Sequence, residues 1–573
     1  MHRPYDLKKV QAKPVQAGQL QTKPIVWTIA GSDSGGGAGI QTDLATINDL
    51  GCFGCSVITT ITAQNSVAVN LVEPVSEAML EAQLTALYDD LQPAAIKIGL
   101  IANQQQLNAI ACWLNAFRQR NIANQTVPVI VDPVMVASCG DGLNQTDELD
   151  FSPFKGLMTL VTPNAAELFR LEGLANIANP HSKVGFHQAA TALNQLLRCN
   201  VLAKGGDAEP WQGETASDLF VCQQVNGVSE SHQYQQIWLT SQRIDTDNNH
   251  GSGCTLSSAI ACFMAYGYVL HDAIVMAKAY VSKGLINSVQ YGQGTGPVAK
   301  TGWPEDISLY PSISFYYDHQ PCDLFTSTTQ SGCYDNGFPQ LSQEIGIYPV
   351  VNDVVMLEAL LKANCTTAQL RIKQSDNLLL KDIEQQIQQA ITLGRDYNAQ
   401  VFINDHWQLA LKHGAFGVHL GQEDVELANL DSIKEAGIAL GLSSHSIFEI
   451  LLAHQLKPSY IALGHIFPTT TKVMPSAPQG LAKLAHYAAL LKPVCPTVAI
   501  GGINKHVLDA VKATTVRSVA VVRAITEANY PETAFKQLSH QWFSDSTGIS
   551  TKSQYEKEPN DSKYMIKGNS DDE

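Results

Sequence analysis

The run from Asp245 to Ser258, Asp-Thr-Asp-Asn-Asn-His-Gly-Ser-Gly-Cys-Thr-Leu-Ser-Ser, has the clearest capacity for chemistry in this chain. Gly251 and Gly253 stand just ahead of small and apolar residues that continue through Ala259, Ile260, Ala261 and Phe263. That pattern predicts a backbone turn feeding a buried helix. The first N–H groups of a helix have no intrahelical partner and its dipole makes that end positive, so the turn is a ready anion site. Glycine lets the backbone close on the anion, and a helix N-terminus lowers a thiol's pKa, so Cys254 reads as an anion-cradle residue or an activated thiol. The same spacing also suits an ordinary glycine-rich helix start over a buried cysteine.

A second constellation follows short apolar runs in the other half of the chain. Gln369, Arg371 and Lys373 lie along and after the run 368–372, Asn404 and Asp405 after 401–403, and Asp424 after 417–420. Ser443 follows 439–442, Thr469 to Lys472 follow 460–463, and Gly501-Gly502 follow 497–500. Two acids beside three cations suit a metal and a diphosphate, because Mg²⁺ takes one or two carboxylates plus phosphate oxygens while Arg and Lys neutralise the remainder. Each residue alone also reads as a surface charge, and their shared placement at strand ends favours a site.

The elements that must hold these residues follow from periodicity. With 347–351 and 518–522, the runs of the second half number eight, a rhythm that predicts a (β/α)₈ TIM barrel, whose function sits at the carboxyl ends of its strands. In the first half a strand over 25–30 runs into Gly31 to Gly39, with a helix from Ile40 to about Leu50. Further runs at 57–61, 94–98, 127–131, 158–161 and 201–203 alternate with helical stretches, which predicts a mainly parallel α/β/α sandwich. Ligands of such sheets sit beyond the strand ends, where Lys97, Asp132, Asn164 with Glu167, and Lys204-Gly205-Gly206 fall. Ile40 occupies the last glycine position of a G-x-G-x-x-G pattern, and no G-x-x-x-x-G-K-[ST] occurs, which argues against dinucleotide and P-loop binding.

At 573 residues the chain is too long for one core. We read a flexible leader over 1–24, a first domain over 25–298, a linker over 299–344, a barrel over 345–544 and a disordered tail over 545–573. The linker is rich in Tyr, Pro, Ser and Thr, and its aromatics are too many for free coil, so parts of it should pack on a domain surface. A net charge of −16 argues against nucleic acid. No run reaches the roughly 18 apolar residues of a membrane span, so a cytoplasmic protein is expected. The 12 cysteines are scattered, as reduced thiols are.

Ala30 to Gln41, Ile61-Thr-Ala-Gln-Asn65, Val131-Asp-Pro-Val-Met135, Thr162-Pro-Asn-Ala-Ala-Glu167, Lys204-Gly-Gly206 and His250-Gly-Ser-Gly-Cys-Thr255 together resemble the hydroxymethylpyrimidine/phosphomethylpyrimidine kinases, which have a ribokinase-like fold. The resemblance spans the first segment. It implies that Asp43 and Gln64 bind the aminopyrimidine, Asn164 and Glu167 serve the metal-phosphate side, and Lys204, Gly205 and Gly206 lie near ATP. Gly251, Gly253 and Cys254 form the anion hole, with Cys254 as base or transition-state hydrogen-bond partner. The family usually carries a lysine where Ser138 stands, which points to one slower phosphorylation here.

Gln369 to Lys373, Ile403-Asn-Asp405, Val418 to Asp424, Gly441-Leu-Ser443, Gly464 to Lys472 and Ala499 to Ile503 resemble the thiamine phosphate synthases. The resemblance implies Asp405 and Asp424 for Mg²⁺. Gln369, Arg371, Lys373, Asn404, Ser443 and catalytic Lys472 face the pyrimidine diphosphate, and Thr469, Thr471, Gly501 and the Val522-Arg523 backbone face the thiazole phosphate. Arg523 stands where the family often has serine. Together the resemblances imply a bifunctional enzyme with small-molecule substrates and with ATP and Mg²⁺, and a homo-oligomer is compatible with it. The rivals are a pyridoxal-type kinase in the first half, and a regulatory pyrimidine or thiamine-phosphate binding protein with a degenerate kinase domain.

Overall fold

The structure, a computed structural model, describes residues 23–120, 127–135, 149–172, 182–206, 213–223, 236–317, 320–322, 337–372, 379–469 and 477–544. Ser138, Lys373, Thr471, Lys472, the leader before Lys23 and the tail after Ser544 lie outside these residues.

Among the described residues the first half builds one 11-stranded sheet in the order β11-β10-β9-β8-β7-β6-β5-β4-β1-β2-β3. Its strands are β1 (Ile25–Asp33), β2 (Phe53–Gln64), β3 (Val69–Pro74), β4 (Ala95–Ile98), β5 (Val129–Val131), β6 (Leu160–Val161), β7 (Asn200–Ala203), β8 (Thr215–Val221), β9 (Gln236–Gln242), β10 (Ser312–Tyr317) and β11 (Gln320–Cys322). From β2 through β1 to β7 the pairings are parallel, as the predicted β-α alternation requires. Antiparallel strands close both ends. The helices that matter below are α1 (Gly39–Asp49), α2 (Ser252–Ala265) and α3 (Leu270–Ile286). The dense burial of α2, from Cys254 through Phe263, follows from its small and apolar sequence: the helix packs under the sheet rather than on the surface.

The second half is a closed barrel of parallel strands: β12 (Ile347–Val351), β13 (Thr367–Leu370), β14 (Gln400–Asn404), β15 (Gly417–Leu420), β16 (Ala439–Ser444), β17 (Tyr460–Leu463), β18 (Thr497–Ala499) and β19 (Ser518–Val521). The sequence rhythm names each of these eight. Two barrel helices face the first domain, α4 (Ile447–Gln455) and α5 (Gly480–Leu491).

The segment after Val298 does more than link. Its strands β10 and β11 extend the first sheet, because Ser312 to Phe315 pair with β9. Tyr310, Ile313, Phe315 and Phe338 are buried, in agreement with the packing expected of its aromatics. Ile313 shows why its composition concealed a strand. Its N–H donates to Gln455 Oε1 at 2.6 Å and its carbonyl accepts from Gln455 Nε2 at 3.0 Å, so a barrel side chain completes the ladder. One apolar core therefore runs through both halves, taking in Tyr268, Tyr310, Ile313, Phe448 and Tyr487.

Candidate active sites

The first site is a cavity of about 620 Å³ beyond the carboxyl ends of the parallel strands, roofed by the start of α2. Gly251 takes a left-handed backbone, φ 73°, and a Cβ there would lie 2.0 Å from the Gly37 carbonyl. Only glycine allows the loop after β1 to fold against the start of α2 at this point. Asp33 pins that loop, accepting from the N–H groups of Gly35 and Ala38 at 2.8 Å and facing His250 Nε2 at 3.2 Å. Burial would raise the Asp33 carboxyl, but His250 and the two N–H groups outweigh it and hold it below its usual range.

Gln64, Asn164, Glu167, Lys204, Gly206, Gly251, Gly253 and Cys254 all line this cavity. Asn164 and Glu167 also bind each other, backbone N–H to side chain in both directions at 2.8 and 2.9 Å, which caps the helix Ala165–Glu172. Lys204 Nζ pairs with Asp132 at 2.9 Å, and a Cβ on Gly253 would come within 2.9 Å of that nitrogen. Burial opposes the Lys204 charge, yet Asp132 and Glu167 hold the ammonium above its usual pKa.

Two positions differ from expectation. Asp43 is fully buried beneath the cavity instead of on its wall. Its carboxylate accepts from Thr28 Oγ1 at 2.6 Å, Lys97 Nζ at 2.7 Å and Ser258 Oγ at 2.9 Å, which leaves it holding Lys97 rather than reaching a ligand. Gly205 also lies behind the wall, its N–H given to Asp218 at 2.9 Å. Burial pushes the Cys254 thiol up to about 11, with Lys97 offsetting only part of the effect. The loss of water disfavours the charged thiolate, and the nearby acids Asp43 and Asp132 add to that effect.

Sequence reasoning missed Lys278 and Asp218, which pair at 2.5 Å on the cavity wall. Lys278 sits within a helix that reads as apolar core, and the only signal is a lone lysine among Ala273 to Ala279.

The second site gathers at the carboxyl ends of the barrel strands. Gln369 Nε2 donates to Asn404 Oδ1 at 2.6 Å. Asp405 follows β14 in a left-handed backbone, φ 62°, and its N–H binds the His419 carbonyl at 3.0 Å. Burial first, then the neighbouring Asp424 charge, raise the Asp405 carboxyl to about 6 against the opposing pull of Arg371. Two carboxylates close enough to disturb one another, with oxygen donors only, fit a hard divalent cation such as Mg²⁺. Ser443 Oγ meets His419 Nε2 at 2.8 Å, and a buried chain continues from His419 Nδ1 to Tyr460 Oη at 2.8 Å and on to Tyr348 Oη at 2.9 Å. Burial, then Arg371, depress His419 to about 3, so its ring is neutral. His419, Tyr460 and Tyr348 carry no role in the sequence reading, because their linkage crosses strands far apart in the chain. Thr469 and Gly501 flank the loop after β17, where Phe467 N–H binds the Gly501 carbonyl at 3.1 Å, and Val522 caps the short helix opened by Arg523.

Residues 33–299 match the family model described as phosphomethylpyrimidine kinase, and residues 347–525 match that described as thiamine monophosphate synthase. The thiamine-phosphate synthase of Yersinia pestis (strain Pestoides F) is 55% identical over 204 residues, 36% of this chain and 93% of that protein. Through its barrel, the chain belongs to the thiamine-phosphate synthase family. Among solved structures, phosphomethylpyrimidine kinase from Clostridium difficile is 30% identical, over 45% of this chain and 99% of that one, with TM-score 0.35. Pyridoxal kinase from Staphylococcus aureus is 27% identical over 51% and 98%, with TM-score 0.41. The chain is thus a fusion of a phosphomethylpyrimidine kinase domain with a thiamine-phosphate synthase domain, an enzyme of thiamine biosynthesis with kinase and transferase activities. Among the described residues no helix is long and apolar enough to cross a membrane.

Proposed function

We propose that the kinase domain phosphorylates 4-amino-5-hydroxymethyl-2-methylpyrimidine twice with ATP, and that the barrel joins the resulting diphosphate to thiazole phosphate in the cytosol, giving thiamine phosphate and pyrophosphate. The observation that carries this reading is the presence of two separate constellations, each suited to one half of the chemistry. One is a cavity with an anion hole and lysines, and the other is an acid pair beside Arg371.

In the first transfer the pyrimidine hydroxymethyl oxygen attacks the γ-phosphorus and gives its proton to solvent, and in the second an oxygen of the new phosphate attacks; each time the bond to the β-phosphate oxygen breaks to release ADP. Transfer of this kind asks chiefly for positioning and charge stabilisation. The backbone around Gly251 to Cys254 supplies N–H donors, and Lys204 and Lys278 supply positive charge, each held in place by an acid. Gln64 reads the aminopyrimidine, with Asp43 and Lys97 as a fixed charge pair below it. Cys254 acts as a neutral hydrogen-bonding thiol.

In the synthase the bond from the pyrimidine methylene to the diphosphate breaks, and the thiazole nitrogen gives its lone pair to the methylene carbon. Asp405 and Asp424 would hold Mg²⁺, and the ion would supply charge neutralisation for the leaving pyrophosphate. Arg371, Lys373 and Lys472 bind its oxygens, and Gln369, Asn404 and Ser443 orient the substrate. Thr469, Thr471, Gly501 and the Val522-Arg523 backbone receive the thiazole phosphate. No nucleophile is needed.

The test is ADP release with the pyrimidine against pyridoxal as acceptor, followed by pyrophosphate release. Pyrimidine-dependent ADP, with pyrophosphate appearing only when thiazole phosphate is added, supports the reading. ADP release with pyridoxal alone would favour a pyridoxal-type kinase, and no turnover with either would favour a binding protein.

A further inference from the structure

The two domains meet where α3 of the kinase crosses the first turn of α4 of the barrel, just after Ser443 at the carboxyl end of β16. Asp272, in the first turn of α3, is 2% exposed. Its Oδ1 accepts the Phe448 N–H of α4 at 2.9 Å, and its carboxylate also bonds the side chain of Ser446. Ser446 is the N-cap of α4 and accepts from Glu449 N–H at 3.2 Å. Barrel residues hold the same turn from the other side: Gln422 Nε2 donates to the Ser443 carbonyl at 2.5 Å, and Gln479 Nε2 bonds the His445 carbonyl.

The first N–H groups of a helix must find partners outside it. In a barrel standing alone, water could supply one to Phe448. Here His271 packs its ring on Phe448 at 5.2 Å, and Lys483 of α5 reaches across to the Gly267 carbonyl and the Tyr268 ring, so the surface is covered. A carboxylate is the strongest partner for an N–H group at the positive end of a helix. It comes from the other domain.

We propose that Asp272 of the kinase domain is a positioning residue for the synthase site, holding the first turn of α4 and with it Ser443. This rests on the reading of Ser443 as a ligand of the pyrimidine diphosphate. The kinase domain is then a structural part of the synthase, beyond its own reaction.

The test is steady-state kinetics of both activities on full-length Asp272→Ala, Asp272→Asn, Phe448→Pro and Ser443→Ala. Asp272→Ala should raise the synthase KM for the pyrimidine diphosphate about tenfold, the usual scale for losing a hydrogen bond to a charged group. Synthase kcat and the kinase constants should stay within about twofold, as for remote independent sites. Asp272→Asn keeps an acceptor oxygen and should restore KM. Phe448→Pro removes the donor in a helix's first turn, where proline is tolerated, together with the ring on His271, and should raise the same KM with the kinase constants kept should Asp272→Ala not fold. A wild-type KM in folded Asp272→Ala or in Phe448→Pro overturns the proposal, as does an equal loss of both activities or a loss that Asn does not restore. If Ser443→Ala leaves KM unchanged while Asp272→Ala raises it and Asn restores it, the Ser443 assignment falls and the positioning of the synthase by Asp272 stands.

Discussion

Lys278 and Asp272 share helix α3, six residues or about 9 Å apart along its axis, and serve different domains. Lys278 pairs with Asp218 on the kinase cavity wall, while Asp272 accepts from Phe448 of the barrel. Kinase site and domain interface are therefore built on one rigid element. The halves are docked through buried groups as well as joined by a segment of chain.

Lys278→Met should lower kinase turnover at least tenfold and leave coupling of supplied diphosphate unchanged. It should also destabilise the protein by about 3 kcal/mol, because Asp218 would stay buried without its cation. Double substitution with Asp218→Asn should recover much of that stability but not the turnover, which thermal unfolding and ADP release measure separately. Full kinase activity in the single variant would remove Lys278 from the site.

Burial raises the Asp272 carboxyl to about 6, against a usual value near 3.8. Between these values the folded protein binds a proton that the unfolded chain does not, so this group's contribution to stability falls as pH rises through the window. Wild type should accordingly gain stability relative to Asp272→Asn as pH drops from about 7 to about 4, a difference that cancels the titration of every other group. A pH-independent difference between the two would contradict it.

Tyr460 Oη lies between His419 and Tyr348 in the barrel. Tyr460→Phe strands His419 Nδ1 in a dry core, and we expect a loss of about 1–3 kcal/mol. The synthase KM for the pyrimidine diphosphate should rise, because His419 orients Ser443. Unaltered melting and KM would show that the chain of hydroxyls contributes neither order nor binding.

Since burial holds Cys254 near 11, its thiol stays protonated at neutral pH. Peptide mapping after iodoacetamide treatment should find Cys254 unmodified at pH 8, where exposed Cys112 reacts, with labelling rising toward pH 11. Rapid labelling at pH 7 would restore the activated thiolate.

The barrel was legible because each strand is a short apolar run bounded by polar turns, repeated eight times around one closed sheet. The antiparallel strands β3 and β8 to β11 were not. Val69–Pro74 buries no residue and shows no strict alternation, and Ser312–Tyr317 becomes a strand through its pairing with β9 and Gln455. The glycine turn and helix start at Gly251 to Cys254 were legible because that pattern is local in sequence. A motif gives position along the chain but not depth, and the depth of Asp43 is set by Lys97, Thr28 and Ser258. Asp272 reads as an ordinary acid in a helix's first turn, a surface feature in most helices. Only the packing of α4 against it gives it a second task.

The most direct measurement of two active sites on one chain mixes full-length Cys254→Ala with full-length Asp424→Ala and follows thiamine phosphate from the free pyrimidine, ATP and thiazole phosphate. Cys254→Ala alone should lack the kinase and still couple supplied diphosphate; Asp424→Ala alone should make the diphosphate and stop there, each losing about 10²-fold or more in its own step. The mixture should recover the steady-state flux of wild type at matched active-site concentrations, after a lag while the diphosphate accumulates in solution. Thiamine phosphate from either variant alone at the wild-type rate would contradict the assignment of one reaction to each domain.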